Sequence, residues 1–243
     1  MKIIACDFDG TLFQEDGTGI SQADRDAISK FRAIGGIFGI VTGRDLTASA
    51  FVLKNLPNTL DFLICSTGAL ICDGMGNILS SSKSNEAIAI SDIADFSLKN
   101  NVTNFTVIDE KVRHPLDVSG KEAHNFKSLK EFNNCTLWFE TVENAKVVEN
   151  YIKDNFDECL TFFRNYQCIE ITPKGVTKAS GIRELINRYV SPEVYAIGDG
   201  ATDASMVTEF FGFAVSNANP DLKKVAKHQC NRVSDMIDFV LKN

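Results

Sequence analysis

No basic run longer than the Lys223-Lys224 pair occurs in this 243-residue chain, and 25 Lys and Arg against 32 Asp and Glu leave a net charge of −7. That balance argues against a nucleic-acid surface, whose footprint is a clustered positive face. No apolar stretch approaches the roughly 20 residues needed to cross a bilayer, so no membrane span is expected. An apolar strand pattern already begins at Ile3, leaving no room for a secretory leader, and the expected compartment is cytoplasmic. The seven cysteines include no CxxC pair. Cys6, Cys65 and Cys168 lie in apolar runs, where a thiol acts as a small hydrophobe under reducing conditions. The three histidines, His114, His124 and His228, share no ligand spacing. Neither a disulfide framework nor a zinc site is therefore expected, and the sequence shows no internal repeat or low-complexity tract.

What is present is a chain 44% hydrophobic, long for one compact domain and short for two large ones, which points to one domain carrying an insertion. Apolar runs alternate with helical periodicity, the pattern of a parallel sheet with helical crossovers. Ile3-Ile4-Ala5-Cys6 reads as a first strand. A helix capped by Ser21 runs to about Ile34, and Gly35-Gly36 stops it before the strand 37–41. A helix over 45–55, a strand over 62–65 and a hairpin spanning 70–79 follow. From about Ser81 the texture changes to an α+β pattern: helices near 86–98 and 145–156, with strands near 105–108, 136–140, 160–163 and 168–172. The doubly wound pattern then resumes with a helix over 178–189, a strand over 194–197, a helix over 203–210, a strand over 213–215, and helices after Pro220 and Ser234. The expected architecture is an α/β doubly wound core, residues 1–80 and 173–243, with residues 81–172 inserted as a second α+β unit.

In a parallel sheet every strand opens its carboxyl end onto the same edge, where ligands bind. Four such ends lead to polar groups: Asp7 and Asp9 with Gly10-Thr11, Thr42-Gly43-Arg44, Thr67-Gly68, and Asp199 with Asp203. Lys178 opens the helix preceding the last of these. Four carboxylates in one crevice would repel one another and raise their own pKa values unless cations were present. One Mg²⁺ with Lys178 and Arg44 would match their charge, which is the arithmetic of a phosphate-ester site. Hard oxygen ligands favour Mg²⁺ over zinc.

Taken in order, Asp7-Phe8-Asp9-Gly10-Thr11, Ile40-Val41-Thr42-Gly43-Arg44, the segment Ile169 to Lys178, Gly198-Asp199-Gly200-Ala201-Thr202-Asp203 and Ala214-Val215-Ser216-Asn217-Ala218 resemble the motifs of haloacid dehalogenase-superfamily phosphatases. The resemblance is to the Cof-type, class IIB hydrolases with a large α/β cap, and it covers nearly the whole chain. Two positions depart from it. Thr202 stands where the family usually has Asn, and Thr67-Gly68-Ala69 where it usually has Asn-Gly-Ala. A threonine has one rotatable hydroxyl on a shorter arm in place of a planar amide, so contacts to Lys178 or to metal-bound water would be rerouted.

The resemblance implies a Rossmann-like core, a specificity cap over 81–172, and Mg²⁺-dependent hydrolysis of small phosphorylated metabolites, sugar phosphates foremost. Asp7 would be the nucleophile forming an aspartyl phosphate, and Asp9 the general acid and base. Asp7, Asp199 and the Asp9 backbone carbonyl would hold the metal. Thr42, Gly43, Arg44 and Lys178 would bind the phosphate, and Asp203 would orient Lys178 or a metal-bound water. Gly10, Thr11, Thr202 and Asn217 would support the site. Trp138, Arg113 and Arg164 are candidates for a substrate wall. The expected partner is a small-molecule phosphate ester, and the expected state a monomer or weak homodimer. A phosphotransferase or phosphomutase would use the same intermediate, and a non-catalytic phosphoacceptor would need Asp7 but not Asp9. A dehalogenase is disfavoured, because displacing halide needs no general acid.

Overall fold

The computed structural model describes residues 1–14, 16–119 and 125–243; His124 lies outside them. They form two compact units, Met1–Ser80 with Thr177–Asn243, and Ser81–Val176.

The first unit opens with β1 (Lys2–Cys6), α1 (Gln22–Ala33), β2 (Ile37–Val41), α2 (Ala50–Asn55), β3 (Phe62–Cys65), β4 (Leu70–Asp73) and β5 (Ile78–Ser81). Ser21 caps α1 by accepting from the Asp24 amide at 3.1 Å, and the helix buries Ile28 and Phe31. Helix α2 begins later than the 45 read from the sequence. Asp45 builds its own turn there, taking the Ala48 amide on its side chain at 2.9 Å and the Ser49 amide on its carbonyl at 2.8 Å. An Asx turn of this kind competes with helix over the same residues.

In the second unit the elements are α3 (Ala87–Leu98), β6 (Val102–Asp109), β7 (Val112–Pro115), β8 (Asn134–Phe139), α4 (Val142–Phe156), β9 (Leu160–Asn165) and β10 (Cys168–Pro173). The sequence reading ends the insertion at 172, whereas β10 runs on through Pro173 and the division falls after Val176. Its antiparallel sheet has the order β7-β6-β8-β10-β9. Alternate strand residues Phe105, Val107, Leu137, Ile169 and Ile171 share a core with Ile90 and Ile93 of α3 and Val148 and Ile152 of α4. The intervening Thr106, Thr136 and Glu170 lie in cross-strand register with one another, so the opposite sheet face is polar. Strand β7 was not read from the sequence: Val112-Arg113-His114-Pro115 carries no apolar alternation.

The chain returns to the first unit with α5 (Lys178–Ile186), β11 (Glu193–Gly198), α6 (Ala204–Glu209), β12 (Phe211–Val215), α7 (Pro220–Val225), β13 (His228–Cys230) and α8 (Val233–Lys242). The eight-stranded sheet has the order β13-β12-β11-β1-β2-β3-β4-β5. Its strands are parallel from β13 to β3, and β4 runs antiparallel to β3. From β1 the chain winds outward through β2 and β3, and from β11 it winds the opposite way through β12 and β13. The direction therefore reverses between β1 and β11, and a crevice forms where such a reversal occurs. This is an α/β doubly wound core with a second, antiparallel sheet. All seven cysteines are free, and no helix among the described residues is long and apolar enough to cross a membrane.

Candidate active site

Asp7 leaves the end of β1 and Asp199 the end of β11, the two strands flanking the reversal. The Asp7 amide completes the ladder by donating to the Ile197 carbonyl at 2.9 Å, which fixes its direction into the crevice. Past it the chain must turn at once. Gly10 does so at φ +79, a conformation costly for any residue with a Cβ, and a Cβ there would come within 2.6 Å of the Asp199 carboxylate. Thr11 follows and donates its hydroxyl to Asp199 Oδ1 at 2.7 Å, while Asn217, beyond β12, donates its amide to the Gly10 carbonyl at 2.8 Å.

Lys178 is the first residue of α5. Its position is set by a capping box, in which Thr177 Oγ1 accepts from the Ser180 amide at 3.1 Å and Ser180 Oγ accepts from the Thr177 amide at 2.8 Å. Helix α5 also lies hard against the loop after β3. A Cβ on Gly68 would sit 2.0 Å from the Thr177 carbonyl oxygen, and one on Gly181 would sit 2.9 Å from the Gly68 Cα. Only glycine at both places allows that approach. The Lys178 ammonium is 1% exposed and donates to Asp7 Oδ1 at 2.7 Å and to Asp203 Oδ1 at 2.5 Å. Asp203 spends its other oxygen on the amides of Asp199 at 3.0 Å and Gly200 at 2.8 Å, so it ties Lys178 to the loop that presents Asp199.

Burial pushes the Asp7 carboxyl well above its ordinary range, and the Asp203 charge pushes it further, against the pull of Lys178. Asp199 is raised as well, by burial and then by Asp203, despite the Thr11 hydrogen bond. For Lys178, burial lowers the pKa, but the charges of Asp203 and Asp7 and its bonds to them outweigh burial and hold the ammonium above its ordinary value. Among the described residues, Asp7, Asp199 and Asp203 form the one group of potential ligands, their carboxylate oxygens within 4.8 Å of one another. Three carboxylates face one ammonium, a deficit that a single divalent cation would fill, and all the donors are hard oxygens. Since Asp203 is already fully hydrogen-bonded, Asp7 and Asp199 are the residues open to such an ion.

Asp9 is not among the three acids whose side-chain oxygens lie together, because Arg44 from the loop after β2 takes both of its oxygens, Nε to Oδ2 and Nη2 to Oδ1, each at 2.7 Å. Arg44 is thereby paired with an acid of the site. Thr42 is 1% exposed and its hydroxyl accepts the Arg44 amide at 3.1 Å, shaping the turn through Gly43. The Thr202 carbonyl accepts from the Ser205 hydroxyl. In the second unit Arg164 is held by Glu149 at 2.5 Å on α4, while Trp138 stands about half exposed.

Other features were missed at the level of sequence. Ser66 and Thr67 both have positive φ, 51 and 55, and Gly68 follows at +103. Threonine is β-branched and pays for that conformation, which Asn tolerates better. The Ser66 hydroxyl is buried and has no hydrogen-bond partner among the described residues. Phe8 and Phe51 lie against Arg44 and Phe13 packs on both rings, a cluster that no spacing rule announces because Phe8 and Phe13 lie in a loop.

A family model described as haloacid dehalogenase-like hydrolase matches residues 4–238. The relatives include the 5-amino-6-(5-phospho-D-ribitylamino)uracil phosphatase YitU of Bacillus subtilis strain 168, 26% identical over 89% of this chain and 86% of its own length. The phosphatase YbjI of Escherichia coli K12, of the same description, is 23% identical over 100% of this chain and 97% of its own. Among solved structures, the subclass IIB sugar phosphatase BT4131 has a TM-score of 0.80 at 24% identity, covering 99% of each chain, a likeness of fold.

Proposed function

The chain belongs to the haloacid dehalogenase-like hydrolases and is a phosphoric monoester hydrolase of small phosphorylated substrates, and from that premise we propose that it works through an aspartyl phosphate on Asp7, with Mg²⁺ as cofactor and a sugar or polyol phosphate as substrate. The observation that carries this reading is the bridge from Lys178 to Asp7 and Asp203 beside Asp199. A carboxylate buried with a cation on one oxygen, facing a crevice at the reversal of the sheet, is a positioned nucleophile.

Asp7 and Asp199, with the Asp9 backbone carbonyl, would hold Mg²⁺, which when bound neutralises the carboxylate deficit and polarises a phosphoryl oxygen. The chain's own groups do the rest. Asp7 attacks phosphorus while the ester P–O bond breaks, and Asp9, keeping Arg44 on one oxygen and carrying a proton on the other in this step, gives that proton to the departing alcohol. Lys178 and Thr42 bind the equatorial oxygens, where charge resides in the transition state. Water then attacks the aspartyl phosphate, Asp9 takes its proton, and phosphate leaves with Asp7 restored. Asp203 keeps Lys178 aimed throughout. The relatives named for a phosphorylated ribityl compound and the solved sugar phosphatase support a polyol or sugar phosphate. We assign to the second unit the selection of the leaving group.

Turnover of p-nitrophenyl phosphate, with acid quench to trap radiolabelled phosphoenzyme, tests the scheme. Asp7→Asn is isosteric, so it is expected to keep the fold while losing both turnover and the trapped label. Turnover above a few per cent of wild type, with deamidation excluded, refutes Asp7 as nucleophile.

A further inference from the structure

Phe51 is a large apolar residue 40% exposed, on a helix of only six residues, and core packing alone does not account for it. Its ring stands edge-on to Phe8, centroids 6.2 Å apart at 83°, and to Phe13, 5.2 Å apart at 80°. Those two rings stack on each other at 5.3 Å. The Arg44 guanidinium lies over this cluster, its Cζ 5.2 Å from the Phe51 centroid and 5.9 Å from that of Phe8. Both distances fall within cation–π reach, and such contacts hold a flexible cation where it would otherwise sample several rotamers. The guanidinium so held is the one that grips both oxygens of Asp9.

We infer that Phe51 is a positioning residue, which by fixing Arg44 fixes where the Asp9 carboxylate points and so governs which leaving groups the enzyme can expel. Phe8 alone cannot do this. It is wholly buried, and its ring centre stands farther from the guanidinium than that of Phe51, the partly exposed ring of the pair. With a smaller residue at 51, Arg44 loses the nearer of these two ring contacts, and a shift of the guanidinium carries the carboxylate bound to it. A misplaced proton carrier costs little where the leaving group departs unaided and much where it needs a proton. This inference rests on the reading of Asp9 as the group that serves the leaving alcohol.

The test compares p-nitrophenyl phosphate, whose leaving group needs no proton, with phenyl phosphate, whose more basic phenolate gains from one. The two esters are nearly the same shape, so binding differences are small. Phe51→Leu is expected to lower kcat/KM for phenyl phosphate about five- to tenfold and for p-nitrophenyl phosphate about twofold or less, a part of the roughly 10²–10⁴ that general acid help supplies. Phe51→Tyr keeps the ring face and is expected to stay near wild type on both. Added to Arg44→Leu, Phe51→Leu is expected to change neither ester further, since its route runs through Arg44. Equal losses on the two esters, no loss, failure of the Tyr variant to rescue, or an additive effect on Arg44→Leu each overturns the inference. Asp9→Asn, measured alongside, separates the two levels. If it shows no preference between the esters, the reading of Asp9 falls and this inference with it. If it shows the preference and Phe51→Leu does not, only the role of Phe51 falls.

Discussion

Replacing Lys178 by Met nearly keeps the volume of the side chain and removes only the charge, so it isolates what the buried ammonium does. Lys178 is the cation among Asp7, Asp199 and Asp203, at 2.7 Å from Asp7 and 2.5 Å from Asp203. Breaking a buried ion pair by deleting one partner costs about 3–5 kcal/mol, because the remaining charges stay desolvated. For a chain of this size that is a fall of roughly 6–20 °C in melting temperature at pH 7. The loss must depend on pH, and the sign follows from the raised pKa of Asp7. Burial and the Asp203 charge hold its folded value above the ordinary 3.8, and Lys178 is the group that pulls it down. Without Lys178 the value rises further. The folded state then binds more protons than the unfolded one between pH 3.8 and the raised value, so stability falls as pH rises through that window. The variant is therefore expected to melt higher at pH 5 than at pH 7, with a steeper slope than wild type, and to regain part of its stability on adding Mg²⁺. A second change, Asp203→Asn, still lets a side-chain oxygen accept the Asp199 and Gly200 amides and removes one of the stranded charges, so it should return part of the loss at pH 7. Scanning calorimetry from pH 5 to 8 reads all of this. A melting temperature within about 2 °C of wild type at pH 7, or one that rises from pH 5 to 7, would refute the charge arrangement. In the same variant, turnover of p-nitrophenyl phosphate should fall about 10²–10³-fold, as when one preorganised donor to a transition state is removed.

Exhaustive chelation is expected to abolish hydrolysis of p-nitrophenyl phosphate. Mg²⁺ should restore it and Ca²⁺ should not, since Ca²⁺ takes six to eight ligands at longer distances and would draw both Asp7 oxygens; activity that survives chelation contradicts the metal reading. Gly68→Ala should destabilise by about 2–4 kcal/mol and slow turnover, because the new Cβ meets the Thr177 carbonyl and a φ of +103 suits only glycine; urea unfolding alongside steady-state rates would show a wild-type result if α5 is not seated on that loop. Cys230 is pushed up to about 11 by burial and then by Asp235, so at pH 8 about one thiol in a thousand is ionised. Iodoacetamide labelling followed by mass spectrometry should find it tens-fold slower than a free thiol, and equal rates would show the site to be open.

The strands at the reversal of the sheet were legible because each is a short apolar run ending in an acid or a glycine, as at Ile3 to Asp7 and Val194 to Asp199, and such runs are buried on both faces. Lys178 could be tied to them through its motif, with the capping threonine directly before it. What escaped notice depends on partners distant in sequence. Asp9 carries no mark that separates it from Asp7, and its removal from the acid cluster is decided by Arg44, 35 residues away. Phe51 reads as one apolar residue of a helix, and its contacts lie in a loop without period. Edge strands β7 and β13 are short and lack alternation, so only their neighbours in the sheet define them. The left-handed turn at Ser66 and Thr67 was hidden because neither residue type advertises that conformation, whereas Asn or Gly would.

The position of β1 in the sheet bears on how the chain comes to be folded. It pairs with β2 across a short helical connection, but also with β11, through contacts such as Lys2 to Glu193 that close a loop of roughly 190 residues. The inserted unit, by contrast, is one uninterrupted stretch from Ser81 to Val176 and pairs only with itself in its five-stranded sheet. During synthesis from the amino terminus, that stretch has all its strands while the larger sheet still lacks β11, β12 and β13, and domains fold as their sequence becomes available. Distant pairings are also the slow ones. Strand β1 is thus among the first segments made and among the last to be enclosed, and its apolar edge spends the interval exposed, which makes β1 the point at which a stalled or truncated chain is most prone to aggregate.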